Sequence, residues 1–146
     1  MKDNKLPEIN FRHRLPVQIR FNDIDMFGHL NNSIYLQFLD MGKYAYFRQF
    51  MTDTFGSEPT APVVANINCD FIEPTKIDER LEVLTAITNI ADSSMVLDQR
   101  IVSSTGRVKC SARTIMVNID LTTTRPVTVS DLWRKRINDY ESSTAE

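Results

Sequence analysis

The chain has 146 residues, 42% of them hydrophobic and 25% charged, with four Gly and a formal net charge of -2; that length supports one core, not two. The composition is that of a folded chain, and the mild acidity, with a pI near 5.7, offers no general attraction to a polyanion, which argues against a nucleic-acid partner. No stretch reaches the roughly 18 apolar residues needed to span a bilayer, and the N-terminal MKDNKLPEINFRHRLP lacks a signal peptide's apolar stretch, so the expected compartment is the cytoplasm.

A single domain is expected over 1–146, with 1–12 a less ordered lead-in. RLPVQIRF (14–21) places Leu15, Val17, Ile19 and Phe21 on one side and polar residues or Pro16 between them, the period-2 pattern of a half-buried strand. FNDIDMFGHLNN follows, rich in turn and cap residues. SIYLQFLDMGKYAYFRQFM then runs without proline as a long helix beginning near Asn32 or Ser33. On a helical wheel Ile34, Tyr35, Phe38, Leu39, Met41, Ala45, Tyr46 and Phe50 fill an arc of about 180°, wider than the usual stripe of about 100°. Leu36, Tyr44, Phe47 and Met51 fall on the opposite side, so that helix is expected to be wrapped by sheet, with further cover from a ligand or a second chain.

TDTFGSEPTAP (52–62) reads as a loop. Four strand patterns follow: VVANINCDFIE, ERLEVLTAITNI, SSMVLDQRIVSS and RVKCSARTIMVNID. The short punctuation between them, PTKID, ADS and TG, suits tight connections between neighbouring strands of a mainly antiparallel sheet. Cys69 and Cys110 sit in apolar runs without a CxxC or neighbouring ligand residue, which favours buried free thiols over a disulfide. Ser130 is a candidate N-cap for a short terminal helix, SDLWRKRIND. The order predicts a two-layer α+β domain, a curled five-stranded sheet around one long helix plus a short C-terminal helix.

The first N–H groups of the long helix have no carbonyl partner within it and make a local site for a negatively charged oxygen. Gly28 permits a tight turn and a close approach to the backbone, and Asp25 stands at the rim. A carboxylate beside N–H donors is the pairing that acyl transfer needs, although Asx residues before a helix also serve simply as caps and turns. His29 is accompanied only by His13 in the whole chain, and no Ser sits in a nucleophile-elbow context, so His29 is expected to fix the loop by hydrogen bonding, and no metal site is expected. Asp23 is expected to be a turn or solvent residue. Asp40 is either a second carboxylate or a charge facing water. Asn68 alternates along its strand with apolar residues. Arg107, Lys109 and Arg113 share one strand face, as a basic strip for coenzyme phosphates or as an ordinary solvated face.

DIDMFGHLNNSIYLQFLDMG resembles the signature of the 4-hydroxybenzoyl-CoA thioesterase family of hotdog-fold enzymes, D-x-x-G-H-[VL]-N-N followed by a helix with an early tyrosine. VVANINCDFIEPTKIDERLEV and RVKCSARTIMVNID resemble its later strands, with KID where members commonly have a Gly-Asp turn. The resemblance implies an acyl-CoA thioesterase without a cofactor. It makes Asp25 the catalytic nucleophile or general base, Asn32 and secondarily Asn31 the helix-start donors, Gly28 and His29 shapers of the loop, and Tyr35 a wall of the acyl pocket. It also brings Asn68 near a partner's site in an obligate homodimer or a dimer of dimers. The implied substrate is an acyl-CoA, with acyl carrier protein as an alternative donor; a non-catalytic module binding either is the rival.

Overall fold

The computed structural model describes residues 5–51 and 59–143. In chain order the elements are β1 (His13–Val17), a 3-10 turn (Phe21–Asp23), α1 (Asn32–Arg48), β2 (Thr60–Phe71), β3 (Leu81–Ile90), β4 (Ser94–Ser103), β5 (Val108–Asp120) and α2 (Asp131–Ser142). The five strands form one antiparallel sheet in the order β1-β3-β4-β5-β2. Hairpins join β3 to β4 and β4 to β5; the second closes with Ser103 N–H on Arg107 O at 2.9 Å.

The β2–β3 connection departs from the expectation of neighbouring strands. β2 pairs with β5, Thr60 opposite Asp120 and Phe71 opposite Cys110, and lies at the far edge from β1. PTKID therefore crosses the mouth of the curled sheet, where Thr75, fully buried, accepts the Leu30 N–H at 2.8 Å. β2 also begins at Thr60, inside the segment read as loop; the rest of that loop, 52–58, lies outside the described residues.

α1 lies against the concave face. Its first half, with Leu30 just before it, packs Ile34, Tyr35, Phe38 and Leu39 against Leu81, Val83, Ile101, Cys110 and Ala112. Its second half packs Tyr46, Phe47 and Phe50 against Ile87, Met95, Leu97, Met116, Val129 and Ile137. Phe47 thus faces inward where the wheel put it outward, because α2 supplies a second wall: its ring meets Trp133 at 5.8 Å. Met41, expected inside, is 49% exposed. Phe21 is 83% exposed, since the strand ends at Val17 and the chain turns into the 3-10 segment; Leu15, Val17 and Ile19 keep their inward side.

No sequence pattern signals the role of Gly42, where α1 crosses β3 closely enough that an added Cβ would press on Val83 Cγ1. Beneath it Gln99 Nε2 donates to Leu39 O at 2.9 Å and Thr85 Oγ1 at 3.0 Å, which satisfies the polar groups buried under the helix. At the other end Tyr46 donates to Glu141 Oε1 at 2.5 Å and accepts the Ile87 N–H at 3.3 Å. His13 stands edge-on to the same ring at 5.6 Å, its buried Nδ1 without a hydrogen-bond partner among the described residues.

Gly42→Ala is expected to destabilise the fold by about 1–3 kcal/mol through overpacking, measured by urea denaturation. A pH dependence follows from His13, whose pKa burial lowers below the ordinary 6.5. The unfolded chain takes up the proton first, so stability falls as pH drops below that ordinary value. Thermal melts over this range should show the wild type losing stability relative to His13→Phe, with the two converging above neutrality.

Candidate active site

The segment between the 3-10 turn and α1 is folded on itself by backbone pairing. Asp25 N–H donates to His29 O at 2.8 Å and Gly28 N–H to Asp25 O at 3.1 Å. The Asp25 side chain closes the same loop, Oδ1 accepting from Phe27 N–H at 2.9 Å and His29 N–H at 3.2 Å. Gly28 takes φ +80° with open space where a Cβ would stand, a left-handed conformation that favours glycine. One carboxylate oxygen is thereby used by the loop, and Oδ2 has no hydrogen-bond partner among the described residues.

Asn31 is the N-cap of α1, its Oδ1 accepting from Ser33 N–H at 3.1 Å. The neighbouring N–H groups are spoken for: Asn31 donates to Asp23 O and Ile34 to Asn31 O. Asn32 N–H alone among these four finds no acceptor among the described residues, which leaves one helix-start donor available to a ligand oxygen.

These groups border one cleft of about 210 Å³. Asp25, His29, Leu30, Asn32 and Tyr35 form one wall and Phe71, Ile72, Glu73 and Pro74 the other. Tyr35 is buried, its hydroxyl 2.8 Å from Thr75 Oγ1 and donating to Glu73 O at 3.3 Å. Burial raises its pKa against the pull of the Thr75 hydrogen bond, so it stays a neutral phenol. Its ring lies 5.6 Å from that of Phe71.

Two carboxylates line the cleft, and their surroundings separate them. Glu73 is gripped by Arg107, whose Nε donates at 2.8 and 3.0 Å, and faces Lys109 Nζ at 3.6 Å. The Arg107 hydrogen bond holds the Glu73 carboxyl below the usual range. Asp25 makes no ion pair among the described residues. Glu73, Phe71 and Pro74 escaped the sequence reading; the available signal was their place at the end of a strand whose partner no local pattern names.

The other candidates lie elsewhere. Lys109 is 4% exposed and paired with Glu79 at 2.8 Å, while Arg113 pairs with Asp98 at 3.1 Å. With Arg107 on Glu73, the strip is consumed by carboxylates from the β2–β3 connection and β4, which a single-strand pattern does not reveal. Arg107 and Lys109 reach the cleft only through Glu73. Asn68 is exposed on the open β2 edge, and Asp40 is exposed on α1 with Lys43 Nζ at 3.1 Å. Asp23, expected as a turn or solvent residue, does lie in the 3-10 turn but is 1% exposed. Burial alone would raise its carboxyl; the hydrogen bonds and charge of Arg20 reverse that and hold it below the ordinary value.

Residues 19–137 match the family model described as the thioesterase-like superfamily. The chain is 28% identical over 109 residues to the acyl-CoA thioester hydrolase YbgC of Escherichia coli O157:H7, across 73% of this chain and 81% of that protein. It is 26% identical over 127 residues to the long-chain acyl-CoA thioesterase FadM of Escherichia coli K12, across 83% and 93%. Its fold superposes on that of a thioesterase from Thermus thermophilus complexed with coenzyme A and Zn, with a TM-score of 0.79 and 24% identity over 92% of this chain and 98% of that one. The helix-in-sheet architecture is the hotdog fold.

Asn31→Ala removes the cap and is expected to cost about 1 kcal/mol of stability, read from the shift in denaturation midpoint with an unchanged slope.

Proposed function

The chain belongs to the thioesterase-like superfamily, and on that footing we propose that it hydrolyses acyl-CoA thioesters to free CoA and a carboxylic acid. One observation supports this reading: Asp25, whose carboxylate makes no ion pair among the described residues, and Asn32, whose N–H finds no acceptor among them, line the same cleft. A thioester carbonyl oxygen accepts from Asn32 N–H, where the positive end of α1 stabilises the negative charge that develops as the carbon becomes tetrahedral; such a donor is typically worth about 2.7–4 kcal/mol of barrier. Asp25 attacks that carbon or takes the proton of an attacking water through the oxygen not tied to Phe27 and His29. Collapse of the tetrahedral species breaks the C–S bond and expels the CoA thiolate; on the first route it leaves an acyl–Asp25 anhydride, which water hydrolyses to the carboxylic acid and free Asp25, and on the second it gives the carboxylic acid directly.

Within the superfamily we assign the chain to the 4-hydroxybenzoyl-CoA thioesterase-like group, on its DIDMFGHLNN turn. Tyr35 and Phe71 form an aromatic end to the cleft against which an acyl group packs. Glu73, already neutralised by Arg107 and Lys109, serves as wall and not as base. The exposed β2 edge pairs with its counterpart in a homodimer that acts in the cytoplasm, where unlinked thiols are the rule.

The test is a free-thiol colour assay over a panel of aliphatic and aromatic acyl-CoAs. Asp25→Asn is expected to lower kcat by about 10²-fold or more, with substrate binding retained. Undiminished hydrolysis in the variant removes Asp25 from the reaction. Binding without hydrolysis by the wild type makes the protein a non-catalytic acyl-CoA module.

A further inference from the structure

Outside the proposed reaction, two nucleophilic side chains meet. Cys69 on β2 stands opposite Ala112 of β5, and Phe71 stands opposite Cys110. The cysteines are therefore diagonal neighbours across one seam of the sheet. Both face inward, in the cluster around the first half of α1. They are unlinked, and their side chains project from adjacent strands into the same side of the sheet. Cys110 is fully buried, whereas Cys69 is half-buried, so a small reagent reaches Cys69 first.

We propose that Cys69 and Cys110 are a redox modification site, closing to a reversible intramolecular disulfide when the protein meets a hydroperoxide. Cys69 is the attacking sulfur. Hydrogen bonding with Cys110 lowers its pKa, while hydrogen bonding with Cys69 and burial raise that of Cys110. The Cys69 thiolate attacks the peroxide oxygen; an S–O bond forms, the O–O bond breaks, and the departing alkoxide takes a proton to leave as an alcohol, or as water from hydrogen peroxide. Cys110 then gives up its proton and attacks the Cys69 sulfenic acid; the S–S bond forms, the S–O bond breaks and water leaves. The two thiols together supply the two electrons that reduce the peroxide.

Geometry makes this bond reversible. Diagonal neighbours in an antiparallel pair stand about 7–8 Å apart, whereas disulfides usually join Cα atoms about 4.4–6.8 Å apart. Closure must draw β2 toward β5, and a bond under strain is more readily reduced. Phe71, two residues beyond Cys69, walls the cleft against Tyr35. Resting on the thioesterase reading above, the cross-link therefore also slows hydrolysis.

The full-length protein is titrated with hydrogen peroxide and followed by intact mass and peptide mapping. The expected product has lost the mass of two hydrogens, contains a Cys69–Cys110 linked peptide, and reverts with dithiothreitol; Cys69→Ser and Cys110→Ala each abolish it. Sulfinic acid on Cys69 alone, an interchain disulfide, or two thiols still free in denaturant after treatment would overturn the proposal. These readouts need no enzymatic activity, so they stand apart from the fate of the thioesterase reading. In the thiol-release assay, with excess peroxide removed, hydrolysis is expected to fall on oxidation and return on reduction in the wild type and not in Cys69→Ser. A cross-linked enzyme of unchanged rate overturns the coupling to the cleft.

Discussion

The cleft depends on how the first turn of α1 is held. Two backbone bonds fix it: Leu30 N–H on Thr75 O and Asn31 N–H on Asp23 O, each 2.8 Å long. One ties the helix start to the connection leaving β2, the other to the 3-10 turn leaving β1. A helix entered through a long polar segment would otherwise fray at this end, because its first amides lack partners within the helix. Held from both sides, the amides keep one orientation, and the donor they leave over is aimed by the scaffold, not by a mobile loop.

The same construction explains the buried carboxylate at Asp23. Removing a charge from water is unfavourable unless it is paired and hydrogen-bonded. Arg20 supplies both, through its backbone N–H at 2.8 Å and its guanidinium at 3.1 Å. With the side chain so engaged, the Asp23 carbonyl is presented to Asn31. Asp23 is thus a structural acid two positions away from Asp25, whose carboxylate serves its loop with one oxygen in a residue that lines the cleft. Two identical side chains close in sequence have opposite surroundings.

Local patterns carried much of the fold. The N-cap Ser130 marks the terminal helix through short-range chemistry, the long apolar run without proline marks the central one, and the short punctuation between the strand runs marks β3 to β5. Features set by distant partners were not legible. β1 ends at Val17 because Arg20 and Asp23 close a turn, which an alternating Ile19 and Phe21 conceal. Phe47 is inward because α2 comes to cover it. The position of β2 beside β5 cannot be had from the PTKID segment that separates the two strand runs, and without it neither Glu73 opposite Asp25 nor Lys109 between Glu73 and Glu79 is visible. Around the cleft, the half contributed by DIDMFGHLNN was readable, and the half contributed by FIEPT was not.

The sheet has unlike ends, with β1 five residues long and β2 twelve. Open-ended growth, each copy adding its β1 to the β2 of the last, would leave more than half of the outer edge of every β2 unpaired. In the proposed homodimer, joining β2 to β2 about a twofold axis covers the long edge and leaves two short ones exposed. For the homodimer proposed above, the mismatch in length gives a closed, self-complementary pairing the advantage over a fibre, and Pro62 and the irregular register at Val64 and Asn66 discourage accretion in a wrong register.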